Sequence, residues 1–276
     1  MSTHQAGPKT IVITGAARGI GLATAAILAG RGHRVVMSDI DGELAADEAA
    51  KLGEKASGYG LDVTDREAFR NHLEMVESEF GPMDVMVNNA GIASASPTIL
   101  DQDPAITDRT IDINLKGVMN GTIEAIRLME PRRKGHVVNV ASLAGVMGVA
   151  GLAAYSASKF GVVGFTESMR YEFDEKGLVF TCVMPGPVDT GMMDGTSSSP
   201  LVSMLKPEEM AAGIVAAVEG QKPRVALPRS SYFLSRLISI LPPVVGIKVG
   251  HWTKVDRIYT DVDPAARAAY EERVQR

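Results

Sequence analysis

A single cysteine, Cys182, stands among 276 residues, so no internal disulfide can form. Five histidines, His4, His33, His72, His136 and His251, are scattered without metal-ligand spacing, and no metal is expected. Positive charge is in short supply as well. With 28 Lys and Arg against 33 Asp and Glu the net charge is -5, which provides no global field for gathering nucleic acid or anionic lipid. No uninterrupted apolar run approaches the roughly 20 residues that span a bilayer, and a transmembrane segment is not expected. Residues 1–9 are polar, lack the apolar core of a signal peptide, and read as a flexible N-terminus. The expectation is a protein of a reducing, cytoplasmic compartment. Aromatic residues are only 5%, yet 45% of the chain is hydrophobic and 28 residues are glycine, a composition that suits packed sheets and helices rather than a disordered or fibrous chain.

From Thr10 onward, short β-branched runs alternate with longer amphipathic stretches, the pattern of strand–helix units around a parallel sheet. Thr10–Thr14, Arg34–Ser38, Asp84–Asn88, His136–Val140 and Val179–Met184 are expected as central strands, with a weaker one near Ser57–Leu61 and a last near Arg224–Leu227. Their continuous apolarity implies burial on both faces. Helical spacing covers Gly21–Arg31, Asp41–Leu52, Asp65–Phe80, Asp103–Met129, Ala153–Lys176 and Pro207–Glu219, several opening on an Asp suited to capping. Without repeats, low-complexity tracts or a linker, the reading is one α/β domain, doubly wound, with a central parallel sheet of about seven strands. Residues 10–228 would form its dinucleotide-binding and catalytic body, and 229–276 a helical extension of the same domain.

The loop Thr14-Gly15-Ala16-Ala17-Arg18-Gly19-Ile20-Gly21 lies between the first strand and first helix, the context that a nucleotide-binding glycine motif requires. Gly15 suits the tight turn, Gly19 removes a Cβ that would block a pyrophosphate, and Gly21 lets the helix press on the strand. The helix N-terminus adds free amides and partial positive charge. At the end of the second strand, 24 residues after Gly15, Asp39 can accept hydrogen bonds from ribose hydroxyls, which favours NAD. A 2′-phosphate beside Asp39 would cost roughly 2 kcal/mol even in water-like surroundings. Arg18 pulls the other way, because its guanidinium could pair with that phosphate, so NADP is disfavoured rather than excluded.

Tyr155 and Lys159 stand four residues apart near the start of the fifth expected helix, on one face. An ammonium close to a phenol favours the phenolate, and moving a tyrosine from its usual pKa near 10 to about 7 asks for about 4 kcal/mol. Such a pair alone also fits an ordinary helix surface. Ser142 follows the strand ending at Val140 on its carboxyl side, where open α/β sheets bind ligands, and its hydroxyl could hold a substrate oxygen.

In their order and spacing these motifs resemble the short-chain dehydrogenase/reductase family, from Thr10 to about Leu227. The family's glycine loop matches Thr14 to Gly21, its acidic residue for NAD matches Asp39, its adenine-pocket pair matches Asp62-Val63, and its Asn-Asn-Ala-Gly motif matches Asn88-Asn89-Ala90-Gly91. The resemblance implies a Rossmann fold, an active tetrad of Asn114, Ser142, Tyr155 and Lys159, and a nicotinamide end closed by Pro185, Gly186, Val188 and Thr190. It also implies the chemistry: Tyr155 exchanges a proton with an alcohol or carbonyl oxygen held by Ser142, and the nicotinamide exchanges hydride. Lys159 would lower the Tyr155 pKa and hold the ribose, while Asn114, in a distorted helix, could seat a water linking Lys159 to solvent. The expected partner is a small alcohol or ketone, in a homodimer or homotetramer that binds no nucleic acid.

Residues 186–205, with Met192, Met193 and the small residues from Gly195 to Ser199, resemble the family's mobile substrate-binding segment, and flexible methionines suit an apolar substrate. Cys182, in an apolar strand with no basic neighbour in sequence, reads as packing. Beyond the last strand, Leu234, Leu237, Ile238 and Leu241 fall on one helical face, Pro242 and Pro243 end the helix, and Val244 to Val249 add a second apolar stretch. Three uses stand open for this tail: packing on the core or an oligomer partner, walling the pocket for a lipophilic substrate, or resting on a membrane surface aided by Arg229, Arg236 and Lys248. Two other readings of the chain compete with the NAD-dependent enzyme. One is a non-catalytic dinucleotide sensor, which should have lost Tyr155 or Lys159; the other is a lipid-surface protein built around the tail.

Overall fold

A computed structural model describes residues 7–197, 204–253 and 255–275. Its frame is one seven-stranded parallel sheet in the order β3-β2-β1-β4-β5-β6-β7. The strands are β1 (Thr10–Thr14), β2 (Arg34–Asp39), β3 (Ala56–Gly60), β4 (Val85–Asn88), β5 (Gly135–Val140), β6 (Leu178–Pro185) and β7 (Arg224–Leu227). Each boundary lies within two residues of the sequence expectation. Between the strands run α1 (Gly19–Gly30), α2 (Gly42–Leu52), α3 (Arg66–Phe80), α4 (Pro104–Ile111), α5 (Val118–Met129), α6 (Ala153–Phe173) and α7 (Pro207–Gly220).

Alternate residues of each central strand explain why the sheet is covered twice. Ile11, Ile13, Val35 and Val87 join one core cluster with Leu28 of α1, Ala49 of α2 and Ile214 of α7. Val12, Val36, Met86 and Val137 join the other with Phe69 and Leu73 of α3, Ala125 of α5 and Met169 of α6. Each fully buried aliphatic side chain contributes roughly 1.5–3 kcal/mol, so slipping a strand by one residue would exchange both cores at large cost. Asp41, Asp65 and Asp103 cap α2, α3 and α4, accepting from the amides of Leu44, Ala68 and Ala105 at 3.2, 2.9 and 2.9 Å.

The long helix expected over Asp103–Met129 is instead α4 and α5 joined by a π-helical turn, Asp112–Gly117. Its cause is Asn114, fully buried, whose side chain accepts from the amide of Ile92 and donates to the Ile92 carbonyl, both at 2.8 Å. Such a turn accommodates one extra residue, and here it aims Asn114 off the helix axis toward the loop after β4.

Beyond β7 the chain forms α8 (Arg229–Ser239), α9 (Pro243–Thr253) and α10 (Pro264–Gln275). Pro242 and Pro243 end α8, as their missing amide hydrogens require, and Pro243 opens α9. The single apolar face expected for α8 is divided. Leu234 and Ile238 line a cavity, Leu234 while still half exposed, whereas Leu237 and Leu241 are exposed without lining it. Among the described residues, no helix is long and apolar enough to cross a membrane.

Candidate active site

A cavity of about 2010 Å³ opens over the carboxyl ends of the strands. Around it converge the loop after β1, the ends of β2 and β5, and the segments after β4 and β6, so it sits where the strand order reverses between β1 and β4. Of the residues expected in the site, Gly15, Arg18, Gly19, Ile20, Asp39, Asp62, Val63, Asn89, Ala90, Gly91, Ser142, Tyr155, Lys159, Pro185, Gly186, Val188 and Thr190 line it. Gly21 and Asn114 do not. Gly21 lies beneath the loop, where any Cβ would stand 2.2 Å from the Gly15 carbonyl oxygen, which lets α1 press close.

The glycine loop has the shape of an anion cradle. Gly15 has φ +63°, and a Cβ on it would fall 2.7 Å from Ala90 Cα, so only glycine allows β1 to approach the chain after β4. Asn89 ties the two together by donating to the Thr14 and Gly15 carbonyls, each at 3.0 Å. The N-cap of α1 is Arg18, which offers no capping side chain, and the first turn carries no acidic residue. Gly19 and Ile20, which open α1, line the cavity, and the amides of a helix start suit a pyrophosphate. Asp39 also holds this loop, its carboxylate accepting from the Ala17 amide at 3.0 Å and the Asp41 amide at 3.2 Å. Arg18 is engaged with Asp41 at 2.8 Å.

A profile described as short chain dehydrogenase matches residues 9–200. The chain belongs to the short-chain dehydrogenase family. Members of this family are NAD(P)-dependent oxidoreductases acting on CH–OH groups. The probable oxidoreductase EphD of Mycobacterium tuberculosis is 34% identical over 259 residues, covering 86% of this chain. The chain spans only 44% of that relative's length. Human estradiol 17-beta-dehydrogenase 11 is 34% identical over 240 residues, with 85% of this chain and 79% of the relative covered. The crystal structure of gox2181 superposes with a TM-score of 0.72 at 26% identity, over 79% of this chain and 93% of that one.

In this short-chain dehydrogenase, α6 presents Tyr155 and Lys159 to the cavity from its first two turns. Burial pushes the Tyr155 phenol above its usual pKa, and a hydrogen bond with Ser142 pulls it back. Ser142 is fixed at the end of β5: its hydroxyl accepts from the Ala144 amide at 3.1 Å and donates to the Pro185 carbonyl at 3.4 Å. The Lys159 ammonium does not touch the phenol oxygen. It lies 5.6 Å from the Tyr155 ring centre and donates to the Val140 carbonyl at 3.0 Å, with burial lowering its pKa to about 8. Asn114 is near without facing the cavity; a Cβ on Gly91 would meet Asn114 Oδ1 at 3.1 Å and Lys159 Nζ at 3.4 Å. Its amide is occupied by the Ile92 backbone and the Ser158 hydroxyl.

Asn88, the first residue of the Asn-Asn-Ala-Gly motif, is buried away from the cavity, donating to Asn139 at 2.8 Å and Thr122 at 3.2 Å. Cys182 is fully buried, and burial raises its thiol pKa to about 11. The sequence showed no basic neighbour, yet Arg170 and Lys159 lie near enough to oppose that rise; burial prevails. The expected substrate segment forms a short 3-10 turn over Gly191–Met193, and both methionines line the cavity. Its small residues Ser198 and Ser199 lie outside the described residues.

The far wall comes from α10 and the chain before it, which no motif marks. Tyr259, Arg267 and Tyr270 all line the cavity. Tyr270 accepts from the Ala93 amide at 2.9 Å, and burial raises its pKa to about 12. Arg267 is 2% exposed, pairs with Glu271 at 3.1 Å, and donates to the carbonyls of Asp194, Met192 and Ala93 at 3.0, 3.3 and 3.3 Å. The i, i+4 spacing of Arg267 and Glu271 is the one local signal that could have drawn attention to this helix.

Proposed function

We propose that this chain is an NAD-preferring oxidoreductase that interconverts a lipophilic secondary alcohol and its ketone. The observation that carries the proposal is the Ser142–Tyr155 pair on a cavity whose lining also includes the apolar side chains Met147, Leu152, Met192, Leu234 and Ile258. Those side chains suit a hydrocarbon body, and the volume, above the roughly 300–1,000 Å³ of an ordinary ligand site, suits a dinucleotide and a substrate together. Human estradiol 17-beta-dehydrogenase 11 is named for a steroid, which supports the same substrate class by analogy.

Asp39 supports NAD. Its carboxylate lines the cavity at the end of β2, while the one loop guanidinium that could welcome a 2′-phosphate is already on Asp41. Gly15 and Gly19 with the amides opening α1 would hold the pyrophosphate, Asp62 and Val63 the adenine, and Asn89, Ala90 and Gly91 the central stretch. Pro185, Gly186, Val188 and Thr190 would close the nicotinamide end. When bound, the nicotinamide accepts or supplies hydride at its C4.

The chain's own groups handle the proton. In oxidation Tyr155 Oη, as phenolate, takes the hydroxyl proton of the alcohol as the C–H hydride leaves; in reduction it returns that proton to the carbonyl oxygen. Ser142 donates to the same oxygen, fixing it beside the phenol. Lys159, as an ammonium, would favour the phenolate and hold the ribose, and Asn114 braces the loop against which Lys159 lies.

A panel of secondary alcohols, sterols and retinoids, followed by NADH absorbance, tests the proposal. Tyr155→Phe should lower turnover on any active substrate by at least ~10²-fold while NADH still binds. Retention of most of the rate by Tyr155→Phe would refute the role of Tyr155, and turnover confined to small polar alcohols would refute the substrate class.

A further inference from the structure

Fifteen large apolar side chains are exposed among the described residues, and nine of them fall within residues 229–253. Scattered exposed apolar residues are normal, whereas so dense a group marks a surface that meets something. On α8 Phe233 and Leu237, and at its C-cap Ile240, are 63, 56 and 77% exposed; on α9 Val244, Ile247 and Trp252 are 63, 60 and 84% exposed. Phe233, Leu237 and Ile240 follow helical spacing on the side of α8 away from the cavity, to which Ser231, Ser235 and Ile238 turn.

The charge pattern says what kind of surface would cover this one. No Asp or Glu occurs between Glu219 and Asp256, whereas that stretch holds Lys222, Arg224, Arg229, Arg236, Lys248 and Lys254, in a chain whose net charge is -5. Arg236 stands three residues after Phe233 and four before Ile240, and Lys248 four after Val244, so the cations border the apolar side chains. A second copy docking symmetrically would bring these cations against their own images, with no acid in the patch to answer them. An anionic lipid surface answers them directly: apolar side chains enter the acyl boundary, long cationic stems reach back to the headgroups, and a tryptophan suits the interface.

We propose that α8 and α9 dock this protein on the surface of an anionic bilayer, lying along it without crossing. The same two helices contribute Leu234, Ile238 and Val249 to the cavity wall, so the docked face adjoins the mouth of the site. The docking itself rests on α8 and α9 alone and stands or falls independently of the proposed substrate.

Trp252 is the only tryptophan of the chain, 84% exposed and also at the edge of the cavity, so its emission reports the proposed contact when no cofactor or substrate is present. The full-length protein is mixed with phosphatidylcholine vesicles, with and without phosphatidylglycerol, and followed by flotation and by Trp252 fluorescence. Expected are co-flotation and a shift to shorter wavelength with the anionic vesicles, both weakened by salt. Arg236→Gln with Lys248→Gln should weaken anionic-vesicle binding about 25-fold, roughly fivefold for each cation removed. Phe233→Asp with Ile240→Asp, at exposed positions outside the cavity wall, should weaken it at least about tenfold while the melting temperature stays unchanged. Absence of flotation and shift overturns the proposal, as does equal binding to neutral vesicles. A short-wavelength emission without vesicles that reddens on dilution would mean that a second copy covers the patch, and would also overturn it.

Discussion

Asp39→Asn tests the electrostatic part of cofactor choice. The amide keeps one oxygen able to accept from the Ala17 amide, now 3.0 Å from the carboxylate, so the glycine loop retains that brace, while the bond from the Asp41 amide at 3.2 Å to the second oxygen is lost along with the charge. Asp41 does not replace that charge, since Arg18 lies against it at 2.8 Å. A doubly charged 2′-phosphate about 4 Å from a carboxylate is repelled by about 2 kcal/mol at a water-like dielectric, suited to the partly exposed Asp39. That corresponds to about thirtyfold in affinity. Because the separation is shorter than the Debye length of about 10 Å at 0.1 M salt, ordinary buffers leave much of the effect in place. Titrations of NADH and NADPH, by fluorescence or calorimetry, should show the unaltered protein favouring NADH at least tenfold, by this same estimate, and the Asn variant narrowing that ratio by about ten- to thirtyfold. Equal affinities in the unaltered protein, a preference for NADPH, or a ratio untouched by the substitution would refute the reasoning.

Two further outcomes follow from the buried polar groups. His72 and His136 are buried against the Ser38 and Thr181 hydroxyls, and burial lowers the pKa of each to about 4. The unfolded chain, with histidine near 6.5, binds protons that the folded chain refuses, so stability is full above about pH 6.5 and is lost as pH falls toward 4, by up to about 3 kcal/mol for each. Denaturant titrations from pH 7 to 4.5 should show this slope, and His72→Gln should flatten part of it; an unchanged slope in the variant would rule His72 out as a source. Arg267→Met keeps the apolar stem but removes the donor to three carbonyls and leaves Glu271 with only the Ser94 hydroxyl, and should lower unfolding stability by about 3 kcal/mol. A loss under about 1 kcal/mol would show that the guanidinium is dispensable there.

The parts that were legible in the sequence are those with a local physical signature. Strands such as Thr10–Thr14 announce themselves because both faces are buried, and Asp41, Asp65 and Asp103 mark helix starts because each caps amides two or three residues ahead. The glycine loop is readable for the same reason: the turn, the close approach and the helix start lie within eight residues. What escaped depends on distant contacts. The family resemblance implies a distorted helix at Asn114, but periodicity over Asp103–Met129 carries no trace of the π turn, which goes with Asn114 reaching the backbone of Ile92, 22 residues away. The divided face of α8 was hidden because both of its sides are apolar, one toward the cavity and one outward. The position of Lys159 on the Val140 carbonyl likewise could not be read from an i, i+4 spacing.

The wall built by Arg267 and Tyr270 has a bearing on the order of assembly. Both side chains seize the backbone of Ala93, from 174 and 177 residues further along the chain. A growing polypeptide can pair β1 with β2 and β4 and form the glycine loop long before those residues leave the ribosome. The substrate side of the cavity cannot close until α10 has emerged and the intervening loop entropy has been met. The nucleotide half is thus complete while the substrate half still gapes, and an early dinucleotide would find its seat ready before there is a chamber for the molecule it is meant to react with.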